Sequence, residues 1–225
     1  MGDAIGQVLP LAVGVALSPL PIVAVVLMLV TPRARVSGPM FVVGWLVGLA
    51  AVGALALGLA GPADATDDGD PATWVGVVKL ALGVLLLLLA VKQWRARPRA
   101  DGETSMPTWM NAIDSFTPMK ALGAGALLSG VNPKNLLLSV AAATAIAQTD
   151  IAGNEQAVSY AAFAVIATLG VAAPVAIYFA LGDRSGAVLD KLKTWMTRNN
   201  TTILTVLLLI IGVKLIGDGI SALSK

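Results

Sequence analysis

The chain has 225 residues, of which 57% are hydrophobic and 12% are charged, and its formal net charge is +2. Soluble domains carry about 25% charged residues, so this composition indicates an integral membrane protein with little soluble mass. The sequence contains no Cys and no His. It therefore excludes a disulfide framework, a Cys/His zinc site, a cysteine nucleophile and a Ser/His dyad.

Six apolar stretches are long enough to cross a bilayer, because a transmembrane helix needs about 20 residues. We predict an all-α integral membrane fold with six transmembrane helices, at about 4–30, 37–60, 73–94, 119–148, 157–181 and 200–222. The N-terminus lacks the basic region of a signal peptide, so the first stretch is treated as a retained helix.

Basic residues are concentrated in the first, third and fifth loops, whereas the second and fourth loops carry only acidic charge. The positive-inside rule then places the odd-numbered loops in the cytoplasm and both termini outside. We expect a multi-pass protein of the cytoplasmic (inner) membrane. The small net charge gives no argument for a nucleic-acid partner.

The first and fourth spans are each interrupted at mid-length, by Ser18-Pro19-Leu20-Pro21 and by Ser129-Gly130-Val131-Asn132-Pro133. Proline inside a helix removes one backbone hydrogen bond and costs roughly 3 kcal/mol. Broken backbone at membrane depth is tolerated only where protein buries it or where it lines a cavity. We therefore predict that the first and fourth helices are broken at mid-membrane.

The matching breaks indicate an internal repeat of three spans. Three is an odd number, so the two halves must insert with opposite orientations, as in the inverted repeats of secondary transporters. The predicted units are a first repeat at 1–94, a cytoplasmic linker at 95–118 and a second repeat at 119–225.

Two cytoplasmic segments have apolar and charged residues on opposite helical faces. They lie at 108–116, inside the linker, and at 187–196, inside a cytoplasmic loop at 182–199. Both are predicted to form short interfacial helices. The alternative is that they only cover the lower end of the bundle.

The breaks supply the candidate substrate-binding site. A broken helix exposes the free N–H groups and the positive dipole end of its second half, here expected from Ile22 and from Lys134 onward. Lys134 adds a full charge, and the spans contain no acidic residue at mid-depth. We therefore expect an electropositive site for a carboxylate, phosphate or sulfate. The candidate residues are Ser18, Pro19, Pro21, Ser129, Asn132, Pro133 and Lys134.

Structural roles remain open for the same residues. The Lys134 ammonium could be satisfied by carbonyls that the breaks set free. Ser18, Ser129 and Asn132 could cap the broken helices. Asn135 is expected to point away from the site. A metal cation does not suit the site, because hard cations need oxygen ligands that are usually carboxylates. No cofactor is expected.

The motifs beside the breaks resemble a known family. The segments Pro107-Thr108-Trp109-Met110-Asn111-Ala112-Ile113-Asp114, Val131-Asn132-Pro133-Lys134-Asn135 and Leu17-Ser18-Pro19-Leu20-Pro21 are similar to those of the sulfolipid-1-addressing and peptidoglycolipid-addressing (Sap/GAP) proteins of actinobacteria. These proteins belong to the LysE (lysine exporter) superfamily. The resemblance implies a six-span inverted repeat that exports cell-envelope glycolipids or their precursors, and it does not imply an enzyme.

Three functions remain as alternatives. The first is export of a lipid or glycolipid with an anionic or polar head group, by alternating access around the broken helices. The second is export of amino acids or other small carboxylates, although the first span reads Pro19-Leu20-Pro21 where amino-acid exporters usually have Pro-Gly-Pro. The third is a non-transporting scaffold in a larger lipid-export or synthase complex. Expected partners are a lipid substrate, membrane lipids and such a complex, and Gly44-Trp45-Leu46-Val47-Gly48 also permits a homodimer.

Overall fold

A computed structural model describes residues 1–60, 73–95, 117–149 and 151–224. Eight α-helices and one 3-10 helix occur within these ranges, and no strand does. The α-helices are α1 (Gly2–Ala16), α2 (Pro19–Leu29), α3 (Ala34–Ala60), α4 (Thr73–Arg95), α5 (Pro118–Gly130), α6 (Pro133–Ala147), α7 (Gly153–Leu181) and α8 (Ser185–Leu223).

The first predicted span is a bent pair of helices. α1 ends at Ala16 and α2 begins at Pro19, and the two helix axes differ in direction by 52°. Ser18 has an extended backbone (φ −94°, ψ 102°), the conformation that a residue before proline prefers. The predicted break is confirmed, but α2 begins at Pro19 and not near Ile22.

The fourth predicted span is divided in the same way into α5 and α6. Asn132 precedes Pro133 and has ψ 121°, so the chain leaves helical geometry at the residue before proline. Pro133 then occupies the first turn of α6, where its missing N–H leaves no helical hydrogen bond unmade.

Three helical runs among the described residues are long and apolar enough to cross a membrane: Ala34–Leu59, Gly76–Arg95 and Gly153–Leu223. The bent pair α1–α2 makes a fourth when it is counted as one span. The run Gly153–Leu223 contains both α7 and α8, which are separated by the 3-10 helix Gly182–Arg184. Gly182 has φ 51°, a left-handed conformation that suits glycine, and it ends α7. The chain is thus a multi-pass, membrane-embedded helical protein, and the six-span count stays a prediction.

Glycines bring several helix pairs into backbone contact, and two of these pairs show the relative directions of their helices. Gly44 and Gly48 of α3 lie against the backbone of α5, at Leu122 and Ala126. The glycine pair of α3 therefore serves packing within the chain. The residue numbers at these contacts increase in the same direction along both helices, from Gly44 to Gly48 and from Leu122 to Ala126, so α3 and α5 run parallel.

The second close pair is α4 and α8. Gly76 faces the Gly219 carbonyl and Gly83 faces the Gly212 carbonyl, and the same pairs are found when viewed from α8. The order of the contacts is reversed between the helices, so α4 and α8 are antiparallel. Each helix carries its two glycines seven residues apart, which places them on one face.

Two predicted interfacial helices have different outcomes. The segment 187–196 is part of α8, which continues unbroken from Ser185 to Leu223 over 39 residues. Residues 197–200 contain neither Gly nor Pro to end the helix. The separate helix predicted there is therefore wrong. The segment 108–116 lies outside the described residues.

Candidate functional site

The two breaks meet inside the bundle, and we call Gly14, Ser18, Asn132, Lys134 and Asn135 the broken-helix junction. Lys134 Nζ donates a hydrogen bond of 2.6 Å to the Gly14 carbonyl, although 120 residues separate the two. Lys134 is 9% exposed. The two broken helices are therefore in direct contact.

The Gly14 carbonyl is among the last in α1, which ends at Ala16, so it is free to accept a hydrogen bond from outside the helix. Leu17 N–H bonds to the Val13 carbonyl at 2.9 Å, and Leu17 itself has left helical geometry (φ −84°, ψ 47°). The carbonyl end of a helix carries partial negative charge, so a lysine is favourable at this position. Lys134 thus satisfies a carbonyl that the break set free, as the structural alternative for this residue proposed.

Asn135 makes the second bridge across the junction. Ser18 Oγ donates to Asn135 Oδ1 at 2.9 Å, and Asn135 Nδ2 donates to the Leu128 carbonyl at 2.9 Å. Asn135 is fully buried. The expectation that Asn135 points away from the site is wrong. Its side chain ties α5 and α6 to the residue between α1 and α2.

Two of the predicted site residues make local bonds only. Asn132 Oδ1 accepts a hydrogen bond from the Lys134 backbone N–H at 3.1 Å and caps α6. Ser129 Oγ donates to the Ala126 carbonyl at 3.1 Å, within α5. Pro19, Pro21 and Pro133 lie in the first turns of α2 and α6 and contribute by shaping the breaks.

The junction contains a positive charge without a negative partner. The ion pairs found in the described part of the chain are Lys193–Asp190 and Lys214–Asp218, and neither involves Lys134. Within the same residues no group of acidic side chains could hold a metal ion. The only acceptor found for Lys134 Nζ in the described ranges is a neutral carbonyl. An anion would be a stronger acceptor for it, because hydrogen bonds between two charged groups are about twice as strong as neutral ones.

A second feature, which we call the lateral groove, is an apolar groove of about 320 Å³. It is bordered by Val52, Leu55, Ala56, Leu59, Val78, Leu136, Val140 and Thr144. These residues belong to α3, α4 and α6. Leu136 is two residues from Lys134, which is about 200° around the helix, so the groove and the Lys134 side chain lie on different faces of α6.

A larger cavity of about 410 Å³ lies at the other end of the bundle, where α2 ends and α8 begins. Its lining includes Arg35, Asp183, Tyr178 and Phe179. Arg35 lies in the first turn of α3.

The fold and the junction define the chain as a multi-pass α-helical membrane protein with two broken helices in contact. The family model described as "Sap, sulfolipid-1-addressing protein" matches residues 8–221. The chain therefore belongs to this family, which indicates a lipid-related membrane function rather than a known enzymatic one. No curated protein and no solved structure matches the chain.

Proposed function

We propose that the protein exports a cell-envelope lipid or lipid precursor with a polar or anionic head group. The observation that carries this proposal is the buried Lys134 ammonium, which is bonded to a neutral carbonyl, in a helix whose other face borders an apolar groove. A small carboxylate needs a polar cavity closed to lipid, whereas a lipid needs a polar site with an apolar opening for its chains. The junction supplies the charge, and the groove shows that α6 also borders an apolar surface.

Lys134 is proposed to exchange acceptors during the transport cycle. Without substrate, its ammonium bonds to the Gly14 carbonyl. An anionic head group replaces that carbonyl, because an ion pair in a buried site is the stronger interaction. Release of Gly14 frees the end of α1 from α6, and the two halves of the molecule then move relative to each other.

Alternating access requires two structurally similar halves, and the contacts between the helices support such a division of the chain. α3 packs parallel to α5, and Gly170 of α7 packs against the Ala16 carbonyl of α1 in a matching close contact. α4 and α8 pack on each other through reciprocal glycine pairs. When α1, α2, α3 and α4 are matched in order with α5, α6, α7 and α8, the α3–α5 contact corresponds to the α7–α1 contact. The α4–α8 contact corresponds to itself. The pattern supports six spans in two inverted repeats, as proposed from the resemblance to the LysE superfamily.

The orientation of the chain is also proposed, with both termini outside and the first, third and fifth loops in the cytoplasm of the inner membrane. The charge distribution of the loops supports it. Export then runs from the cavity beside Arg35 toward the end of the bundle that carries the N-terminus.

The test is a lipid translocation assay with purified protein in proteoliposomes. The probe is phosphatidylglycerol carrying a fluorescent group on one acyl chain, and dithionite quenches only the probe in the outer leaflet. We expect faster translocation with the wild type than in empty liposomes, and background rates for Lys134→Met. Lys134→Arg should also be impaired, because a planar guanidinium does not replace a compact ammonium.

Lys92→Met is the matched control, because Lys92 is exposed at the far end of α4. Equal rates for the wild type and Lys134→Met would refute the role of Lys134. Loss of folding in Lys134→Met, seen as aggregation in size-exclusion chromatography, would support a purely structural role. Wild-type transport of amino acids without lipid movement would favour the amino-acid exporter.

A further inference from the structure

A polar cavity of about 310 Å³ lies at the end of the bundle where α1 and α4 begin and α6 and α8 end. We call it the terminal pocket, and it is lined by Gln7, Lys79, Gln148, Lys214, Asp218, Ser221 and Ala222. The broken-helix junction is a separate site, because Gly14 lies seven residues from Gln7 along α1. That separation corresponds to about 10 Å of helix.

The terminal pocket holds two lysines and one carboxylate. Lys214 Nζ pairs with Asp218 Oδ2 at 2.6 Å. Lys79 is 8% exposed, and the described residues offer its ammonium neither a hydrogen bond nor a close ion pair. Asp218 attracts Lys79 at longer range but is already paired. The pocket therefore keeps one positive charge without a close partner.

A second donor in the pocket also lacks an acceptor. The side-chain nitrogen of Gln148 is buried and has no hydrogen-bond partner among the residues described. A buried polar group without a partner is destabilising, so such a group is expected to bind a ligand or water. The Lys79 ammonium and the Gln148 amide N–H₂ are both hydrogen-bond donors that line this cavity. A ligand there must therefore supply acceptor atoms, and the ammonium favours an anionic ligand.

The terminal pocket is next to the lateral groove along two helices. Leu136, Val140, Thr144 and Gln148 follow one another at four-residue steps on α6, where the first three border the groove and the fourth lines the pocket. One such step is about 6 Å. On α4, Val78 borders the groove and its neighbour Lys79 lines the pocket. The apolar groove thus ends about one helical turn from the cavity that contains Lys79.

We infer that the terminal pocket and the lateral groove together form a second lipid site, with the anionic head group on Lys79 and Gln148 and an acyl chain in the groove. The head group is a phosphate, a sulfate ester or a carboxylate. The inference deepens the proposed lipid function and rests on its substrate class. A lysine that only anchors a helix extends toward the lipid–water interface, whereas Lys79 is nine-tenths buried beside a cavity.

The test measures binding of short-chain lipids to the purified protein in maltoside detergent by isothermal titration calorimetry. The probes are dioctanoyl phosphatidylglycerol, dioctanoyl phosphatidylcholine and inorganic phosphate. We expect the anionic lipid to bind most tightly. Lys79→Gln should weaken its binding by about tenfold or more, the loss expected for one charge-assisted hydrogen bond. Lys79→Arg should retain most of the affinity, and Lys92→Gln, on the same helix, should be unchanged.

The acyl-chain part of the site is tested with Ala56→Trp, which fills the groove. It should weaken binding of the lipid by about tenfold, the effect of losing a few buried methylene groups, and leave binding of phosphate unchanged. Equal affinity of Lys79→Gln and the wild type would overturn the inference. Binding of phosphate as tight as that of the lipid, together with no effect of Ala56→Trp, would also overturn it, since the ligand would then be a free anion.

Failure of the proposed function is distinguishable from failure of this inference. Lys134→Met lies outside the terminal pocket and should bind dioctanoyl phosphatidylglycerol as the wild type does. If the wild type binds this lipid in a Lys79-dependent way but does not translocate it, the terminal pocket stands and export does not. If translocation depends on Lys134 while Lys79→Gln binds normally, export stands and the terminal pocket does not.

Discussion

Gly170→Ala tests the close contact at the end of α1. Gly170 lies in α7, where an added Cβ would overlap the Ala16 carbonyl oxygen and approach the Ala16 backbone. The clashing atoms belong to the last residue of α1, two residues after Gly14. Backbone atoms cannot rotate away as a side chain can, so α1 and α7 must separate. The separation would lengthen the 2.6 Å bond between Lys134 and Gly14.

A matched variant isolates the size of this effect. Gly123 lies within α5 and would meet nothing within 4 Å if it carried a Cβ. Gly123→Ala should stabilise the protein by up to about 1 kcal/mol, the helix preference of alanine over glycine. Gly170→Ala gains the same preference but adds an overpacking penalty of about 1–3 kcal/mol. The difference between the two variants is therefore the penalty alone.

Thermal unfolding in detergent, followed by intrinsic fluorescence, measures this difference. One kcal/mol corresponds to about 2–4 °C for a chain of this size, so Gly170→Ala should melt about 2–12 °C below Gly123→Ala. The translocation rate of Gly170→Ala should also fall, while that of Gly123→Ala stays at the wild-type level. Equal melting temperatures of the two variants would show that the α1–α7 contact is looser than described.

Three further predictions concern the junction and the topology. In a double-mutant cycle, Ser18→Ala and Asn135→Ala should be coupled by about 0.5–1.5 kcal/mol, the contribution of one hydrogen bond, and strict additivity would contradict the bond between them. Ser18→Leu, which changes no charge, should reduce the translocation rate by filling the junction, and an unchanged rate would exclude Ser18 from the path. A cysteine at Lys191 should be protected from an impermeant thiol reagent added outside whole cells and one at Asn154 should be labelled, and the reverse pattern would invert the topology.

Local backbone chemistry made the breaks predictable. Ser18 and Asn132 each precede a proline inside an apolar run, and that sequence alone forces an extended residue and a new helix start. The same reasoning located the site residues in the chain. It could not decide which acceptor the Lys134 ammonium would have, because that depends on how α1 and α6 pack together.

The bridging role of Asn135 was missed for a similar reason. Spacing along one helix places it on a different face from Lys134, but both faces of α6 meet other parts of the protein near the break. The signal was available as a polar amide in an apolar run, since such residues often bond across helices in membranes. The continuous α8 was missed because an amphipathic pattern at its start was treated as a separate helix. An amphipathic pattern shows which faces of a helix are apolar, but it does not show where the helix ends. The end is shown by residues that terminate helices, such as Gly and Pro.

The hydrogen bond from Lys134 to Gly14 has a consequence for the membrane that contains the protein. A bare ammonium within a transport path would attract chloride, and a steady flow of chloride would dissipate the membrane potential. In the state described, this ammonium is already bonded to a main-chain oxygen inside the protein. A passing inorganic ion must displace that oxygen and also give up its own water. A bulky amphiphile gains in addition from burying its chains, so the proposed exporter is expected to bind such a molecule in preference to inorganic ions.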